Sequence, residues 1–111
     1  MMKYGMKFGS GEGIMYNVKY MHGARHNLLE IEKNLDAKDT RLTDKILQAL
    51  DERIQSLREM PMRYPKYPHN PKYRWTGSNN YMIFYKVVGS TIEVHRILHG
   101  ARDIENLISG I

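Results

Sequence analysis

The chain has 111 residues, 41% of them hydrophobic, which sets one small domain near the lower size at which a single core suffices. It has no cysteine, which excludes a disulfide framework and any zinc–thiolate site, and its longest apolar runs are too short to span a bilayer. Seventeen Lys and Arg against twelve Asp and Glu give a formal charge of +5, which favours acidic partners, nucleic acid or an acidic protein segment.

Residues 1–14, MMKYGMKFGSGEGI, are Gly-rich and without apolar periodicity, whereas strand-like character begins abruptly at Met15. The expectation is a disordered leader, a tag remnant or a mis-assigned start, before a single domain over residues 15–111. Codons for Gly11-Glu12-Gly13 would spell a purine-rich ribosome-binding site just ahead of Met15, which favours Met15 as the physiological start.

Tyr16, Val18 and Tyr20 alternate with Asn17 and Lys19 and predict a first strand. Ala24, Leu28, Ile31 and Leu35, spaced by four, three and four, predict a helix with one buried stripe. Asp36 to Thr40 reads as a polar connection, with Asp39 or Thr40 as the N-cap of a second helix. Leu42, Ile46, Ala49, Leu50, Ile54 and Leu57 form that helix's expected apolar face, and Met60-Pro61 ends it because proline lacks a donor. The two helices are expected to pair as a hairpin lying on a sheet. All four prolines fall between Pro61 and Pro71, in a segment read as an extended strap. Its interleaved tyrosine and lysine suit either packing or the stacking of bases and gripping of phosphates. Tyr73-Arg74-Trp75 starts another strand, expected to turn through Gly77-Ser78-Asn79.

The stretch from Asn80 to Ile108, NYMIFYKVVGSTIEVHRILHGARDIENLI, reads as a hairpin running into a helix. Both faces of Tyr81–Val88 are apolar, so this strand should sit mid-sheet. Gly89-Ser90 fits a two-residue loop with glycine supplying positive φ at the first central position. Strict alternation along the returning strand puts Arg96 on the side of Val94 and Leu98, with Glu93 and His95 opposite; a carboxylate such as Asp103 could pair with that arginine. Asp103 is placed to cap a short last helix through Ile104, Leu107 and Ile108. His-Gly-Ala-Arg occurs twice, at His22–Arg25 and His99–Arg102, read as two similar corners between a strand and a helix. The pairs His22/His26 and His95/His99 have ligand-like spacing, but no second cluster completes a metal site, so neither metal nor cofactor is expected.

In order and content, the NYMIFYKV strand, short turn, IEVHRILHGARD strand and corner, and closing LI resemble the RelE/ParE superfamily of bacterial toxins encoded beside an antitoxin, most closely its ParE-like branch. The resemblance runs from about Met15 to the end and is most specific in the last third. It implies an α+β fold, a small antiparallel-rich sheet packed against an N-terminal helical hairpin with a short C-terminal helix. It further implies a cytoplasmic toxin of a type II toxin–antitoxin system, held in a hetero-oligomer by an antitoxin whose disordered tail folds across a groove.

The ParE-like reading is a noncatalytic inhibitor of DNA gyrase that arrests growth, with Arg74, Arg96, His99 and Arg102 as the residues expected to bind target or phosphate. The alternative is a RelE-like nuclease that cleaves mRNA on the ribosome, using Arg74, His99 and Arg102, with His95 a further acid–base group. Arg102 resembles that branch's strand-end arginine and Arg74 its sheet arginine, but the tyrosine six residues beyond is Ile108 here. His99 also fits a purely structural role at the corner backbone. A third alternative is a disarmed module that acts only with its antitoxin in operator binding.

Overall fold

The computed structural model describes residues 15–36, 39–109 and 111; the expected leader lies outside these residues. Seven elements follow in chain order: β1 (Asn17–Tyr20), α1 (His22–Asp36), α2 (Thr40–Ser56), β2 (Arg74–Ser78), β3 (Tyr81–Val88), β4 (Thr91–His99) and α3 (Ile104–Ser109). The strands form one sheet ordered β1-β4-β3-β2, with β1 parallel to β4 and the other pairs antiparallel. This is the expected α+β architecture, and the doubly apolar β3 is indeed an inner strand.

Two cores flank the sheet. Under the α1–α2 hairpin, Ala24, Ile31, Leu50, Ile54 and Leu57 meet Ile83, Tyr85, Ile92, Val94 and Ile97. On the other side Phe84 and Leu98 are covered by Tyr67, Tyr73, Ile104 and Ile108. Each fully buried Leu, Ile or Phe contributes about 1.5–3 kcal/mol.

Helix α1 buries the predicted stripe. In α2 the expected Ile46, Leu50, Ile54 and, just past the helix, Leu57 do face inward, joined by Thr43 and Leu47, while Leu42 is exposed. Its N-cap is Asp39, whose side chain accepts from the Arg41 and Leu42 amides at 3.0 and 3.4 Å. The helix stops at Ser56, ahead of Pro61. The proline segment is not extended throughout: Tyr67 N–H donates to Tyr73 C=O at 2.8 Å, and Lys66 bridges Arg74. It folds back on β2 through turns, and Tyr67 is buried edge-on to Phe84 at 5.1 Å, out of reach of a base.

Both hairpins are tight. Val88 pairs with Thr91 around Gly89-Ser90, and Gly89 has φ +60°, as expected. The β2–β3 turn, however, is Asn79-Asn80, with φ 51° and 68°, and Gly77 lies within β2 opposite Met82. Asparagine tolerates the left-handed region that a type I′ turn demands at both centres. In α3, Ile104 and Ile108 point inward and Leu107 outward. The Asp103 carboxylate accepts from the Asn106 side chain, Nδ2, at 2.6 Å rather than from a backbone amide of α3, so the expected side-chain cap is not made; the Asp103 carbonyl accepts from the Leu107 amide at 3.1 Å.

Candidate target-binding surface

Strict alternation fails in β4. Phe84 faces Arg96 but Tyr85 faces Val94, leaving His95 as an extra residue in a bulge. The phase therefore flips: Ile97 joins Ile92 and Val94 in the core under the helices, and Arg96 goes with Leu98 rather than with Val94. The Arg96 guanidinium turns back to donate to the His95 carbonyl at 2.7 Å and occupies the place where a Cβ on Gly23 would stand. No pair with Asp103 forms. His95 Nε2 lies 3.0 Å from Glu93 Oε1, and the ring meets Tyr73 edge-on at 5.1 Å.

The two His-Gly-Ala-Arg copies differ in structure. The first opens α1, and its Arg25 donates to the Tyr20 carbonyl at 2.6 Å. The second ends β4 and makes a turn, where the Gly100 amide donates to the Asn80 carbonyl at 2.7 Å. His99 Nδ1 accepts from the Ala101 amide at 3.1 Å, and its ring meets Tyr81 edge-on at 5.1 Å. The imidazole is thereby oriented with Nδ1 as acceptor, the structural role open to it from the sequence. Arg102 follows with its side chain exposed and, among the described residues, without a hydrogen-bond partner.

Arg74 lies elsewhere. Its Nη1 donates to the Tyr64 carbonyl at 2.7 Å and to that of Met62 at 3.4 Å, pinning the proline strap to β2. Arg74 pairs with Tyr85 and His99 with Tyr81. They are thus four residues apart along β3, about 13 Å at ~3.3 Å per residue, and on opposite sides of that strand. His99 and Arg102 share one corner; Arg74 and Arg96 do not join it. Ile108, at the position of the missing tyrosine, is fully buried, and Asn70 Nδ2 holds its carbonyl at 2.7 Å.

Two long-range supports carry no local sequence signal. Asn27 Oδ1 accepts from the Ile97 amide at 2.9 Å, closing the β4 edge past the end of β1, and Asn70 ties down α3. Among the described residues there is no group of three or more His, Cys, Asp or Glu that could hold a metal, and no helix is long and apolar enough to cross a membrane.

Residues 18–104 match the family described as ParE toxin of type II toxin–antitoxin system, parDE. The chain belongs to that ParE toxin family. This ParE-family toxin also resembles solved structures. One is a chain of the chromosomal ParDE TA system from P. aeruginosa (TM-score 0.67, 19% identity, 77% of this chain and 96% of that one covered). Another is a chain of the toxin–antitoxin complex RelBE2 from Mycobacterium tuberculosis (TM-score 0.57, 19% identity, 78% and 99% covered). At such identities the likeness is one of fold. No curated protein matches the sequence of this ParE-family toxin.

Proposed function

We propose that the chain arrests bacterial growth by binding DNA gyrase without catalysing a reaction of its own, and that a cognate antitoxin neutralises it in the cytoplasm. The observation that carries this reading is the match to the ParE toxin family over residues 18–104. The site chemistry supports it. Acid–base cleavage of RNA needs several groups converging on one phosphate. Here Arg74 is committed to the strap, His99 to the corner backbone and Arg96 to the bulge. The exposed Arg102 corner and the outer face of α3 are the proposed contact with the target. The antitoxin is proposed from the two structural relatives, which are themselves toxin–antitoxin assemblies.

The test is to induce the untagged chain without an antitoxin and follow thymidine and methionine incorporation over the first minutes, with purified gyrase assayed in parallel for cleaved DNA. Thymidine incorporation should fall first and cleaved DNA should accumulate. Methionine falling first, with cut mRNA, would replace this reading with the nuclease one. No fall in either would leave a disarmed module that acts only beside its antitoxin.

A further inference from the structure

A second cationic cluster lies away from the corner, where α2, the proline strap and β2 meet. Arg53 on α2 donates Nη1 to the Thr76 hydroxyl of β2 at 3.0 Å, and Thr76 is buried. The strap brings Tyr64 against the same place. The guanidinium carbons of Arg53 and Arg63 stand 5.9 and 5.7 Å from its ring centroid. Arg74 holds the Tyr64 carbonyl at 2.7 Å, which fixes the backbone that carries the ring.

The carboxylates that could neutralise this cluster are turned away. Asp51 and Glu52 immediately precede Arg53 in sequence, but Asp51 accepts from the Tyr20 hydroxyl at 3.5 Å and Glu52 from Gln48 at 3.3 Å. Among the described residues, the ion pairs within 4.0 Å all involve histidine, and none involves Arg53, Arg63 or Arg74. Burial would raise the Tyr64 phenol, yet the Thr76 hydrogen bond and the charges of Arg53 and Arg63 outweigh it and hold the phenol below its ordinary value. The surroundings therefore favour an anion at this oxygen. Two guanidinium forks beside a phenol hydroxyl, one fork fixed by a buried threonine, suit the several oxygens that a phosphodiester backbone presents.

We propose that Arg53, Arg63 and Tyr64, braced by Thr76, form a binding site for the phosphodiester backbone of a nucleic acid, separate from the Arg102 corner. The two guanidiniums take the phosphate oxygens and the phenol donates a further hydrogen bond. The inference goes beyond the gyrase reading and does not depend on it.

The experiment uses the full chain and two fluorescein-labelled probes, a 20-base-pair DNA duplex and a single-stranded RNA of the same length, followed by anisotropy across a salt series. Wild type, R53Q, R63Q, Y64F and the charge-matched control K33Q, on exposed α1, are compared, and thermal melts establish that each folds. R53Q and R63Q should each weaken binding about ten-fold and lower the log–log salt slope by about one, with K33Q unchanged. Whichever probe shows this dependence identifies the nucleic acid. R63Q keeps the test sound if R53Q loosens the fold, because Arg63 is exposed. Equal slopes for all variants, or no binding of either probe, would overturn the proposal. So would loss on R63Q of binding to poly-glutamate but not to either nucleic acid, since the site would then belong to an acidic protein. The same variants in the gyrase assay separate the two claims. Cleaved DNA still forming with R63Q alongside lost oligonucleotide binding leaves both standing, and no gyrase effect in wild type sinks only the gyrase reading.

Discussion

Gly23 is a glycine because of a residue 73 positions away. A Cβ there would meet the Arg96 guanidinium and would stand 2.9 Å from the His95 carbonyl oxygen. Alanine is the better helix former by about 1 kcal/mol, but the close approach opposes that gain. Gly23→Ala should therefore lower stability. Adding Arg96→Ala should recover part of the loss, with a coupling of about 0.5–3 kcal/mol in a double-mutant cycle read by urea denaturation. Additive effects would mean that the guanidinium does not lie against the helix. The glycine was legible in the sequence only as half of a repeated tetrapeptide. Its actual constraint comes from the bulge at His95, which no local pattern announces.

Turn chemistry and helix stripes were the most readable elements, and each shows where reading stops. Gly89 at φ +60° was expected from the Gly-Ser pair between two apolar runs. A Cβ there would meet nothing within 4 Å, so Gly89→Ala isolates conformational strain. It should cost about 1–2 kcal/mol, visible as a lower Tm, with little change in the spectrum of the folded chain. At the other hairpin, Gly77 is by residue type the stronger turn former, yet Asn79 and Asn80 make the turn and Gly77 pairs within the strand. In α2 both Leu42 and Leu47 fit an apolar face, and packing chose the row running through Thr43 and Leu47. Thr43 is buried because its hydroxyl bonds to the Asp39 carbonyl at 3.1 Å, a satisfaction that hydrophobicity alone does not reveal.

For the whole molecule, one buried phenol, Tyr85, and one half-buried phenol, Tyr20, make stability depend on alkaline pH. Burial pushes Tyr85 up to about 12, and burial together with the Asp51 charge pushes Tyr20 up to about 12, from 10.0. The unfolded chain loses these protons near pH 10 while the folded chain keeps them. Their contribution is thus full below pH 10, falls as pH rises to about 12 and is gone above it. Urea titrations at pH 9 and 11 should show this fall, and Tyr85→Phe should make it shallower. An unchanged slope would mean that Tyr85 ionises normally. The same variant loses the hydrogen bond to the Pro61 carbonyl, 2.6 Å in the wild type, at every pH. Only the pH dependence, not the absolute loss, reports on the ionisation.

The sequence by itself determined the element order, the inner position of β3, the Gly89 hairpin, a cap at Asp39 or Thr40 and the resemblance to a toxin family, because each rests on residues close together in the chain. Periodicity, capping and turn residues act over a few positions and are read directly. Tertiary structure alone decided the phase of β4 beyond the bulge, the commitment of Arg74 to the strap and of His99 to its corner, and the convergence of Arg53, Arg63, Tyr64 and Thr76. A side chain's partner is set by which segments pack together, and neither long-range pairing nor a one-residue bulge leaves a mark in local composition. Arg74, Arg96 and Arg102 read from the sequence as one cationic surface. Their positions in the fold divide them between one exposed corner, one bulge and one edge of the sheet.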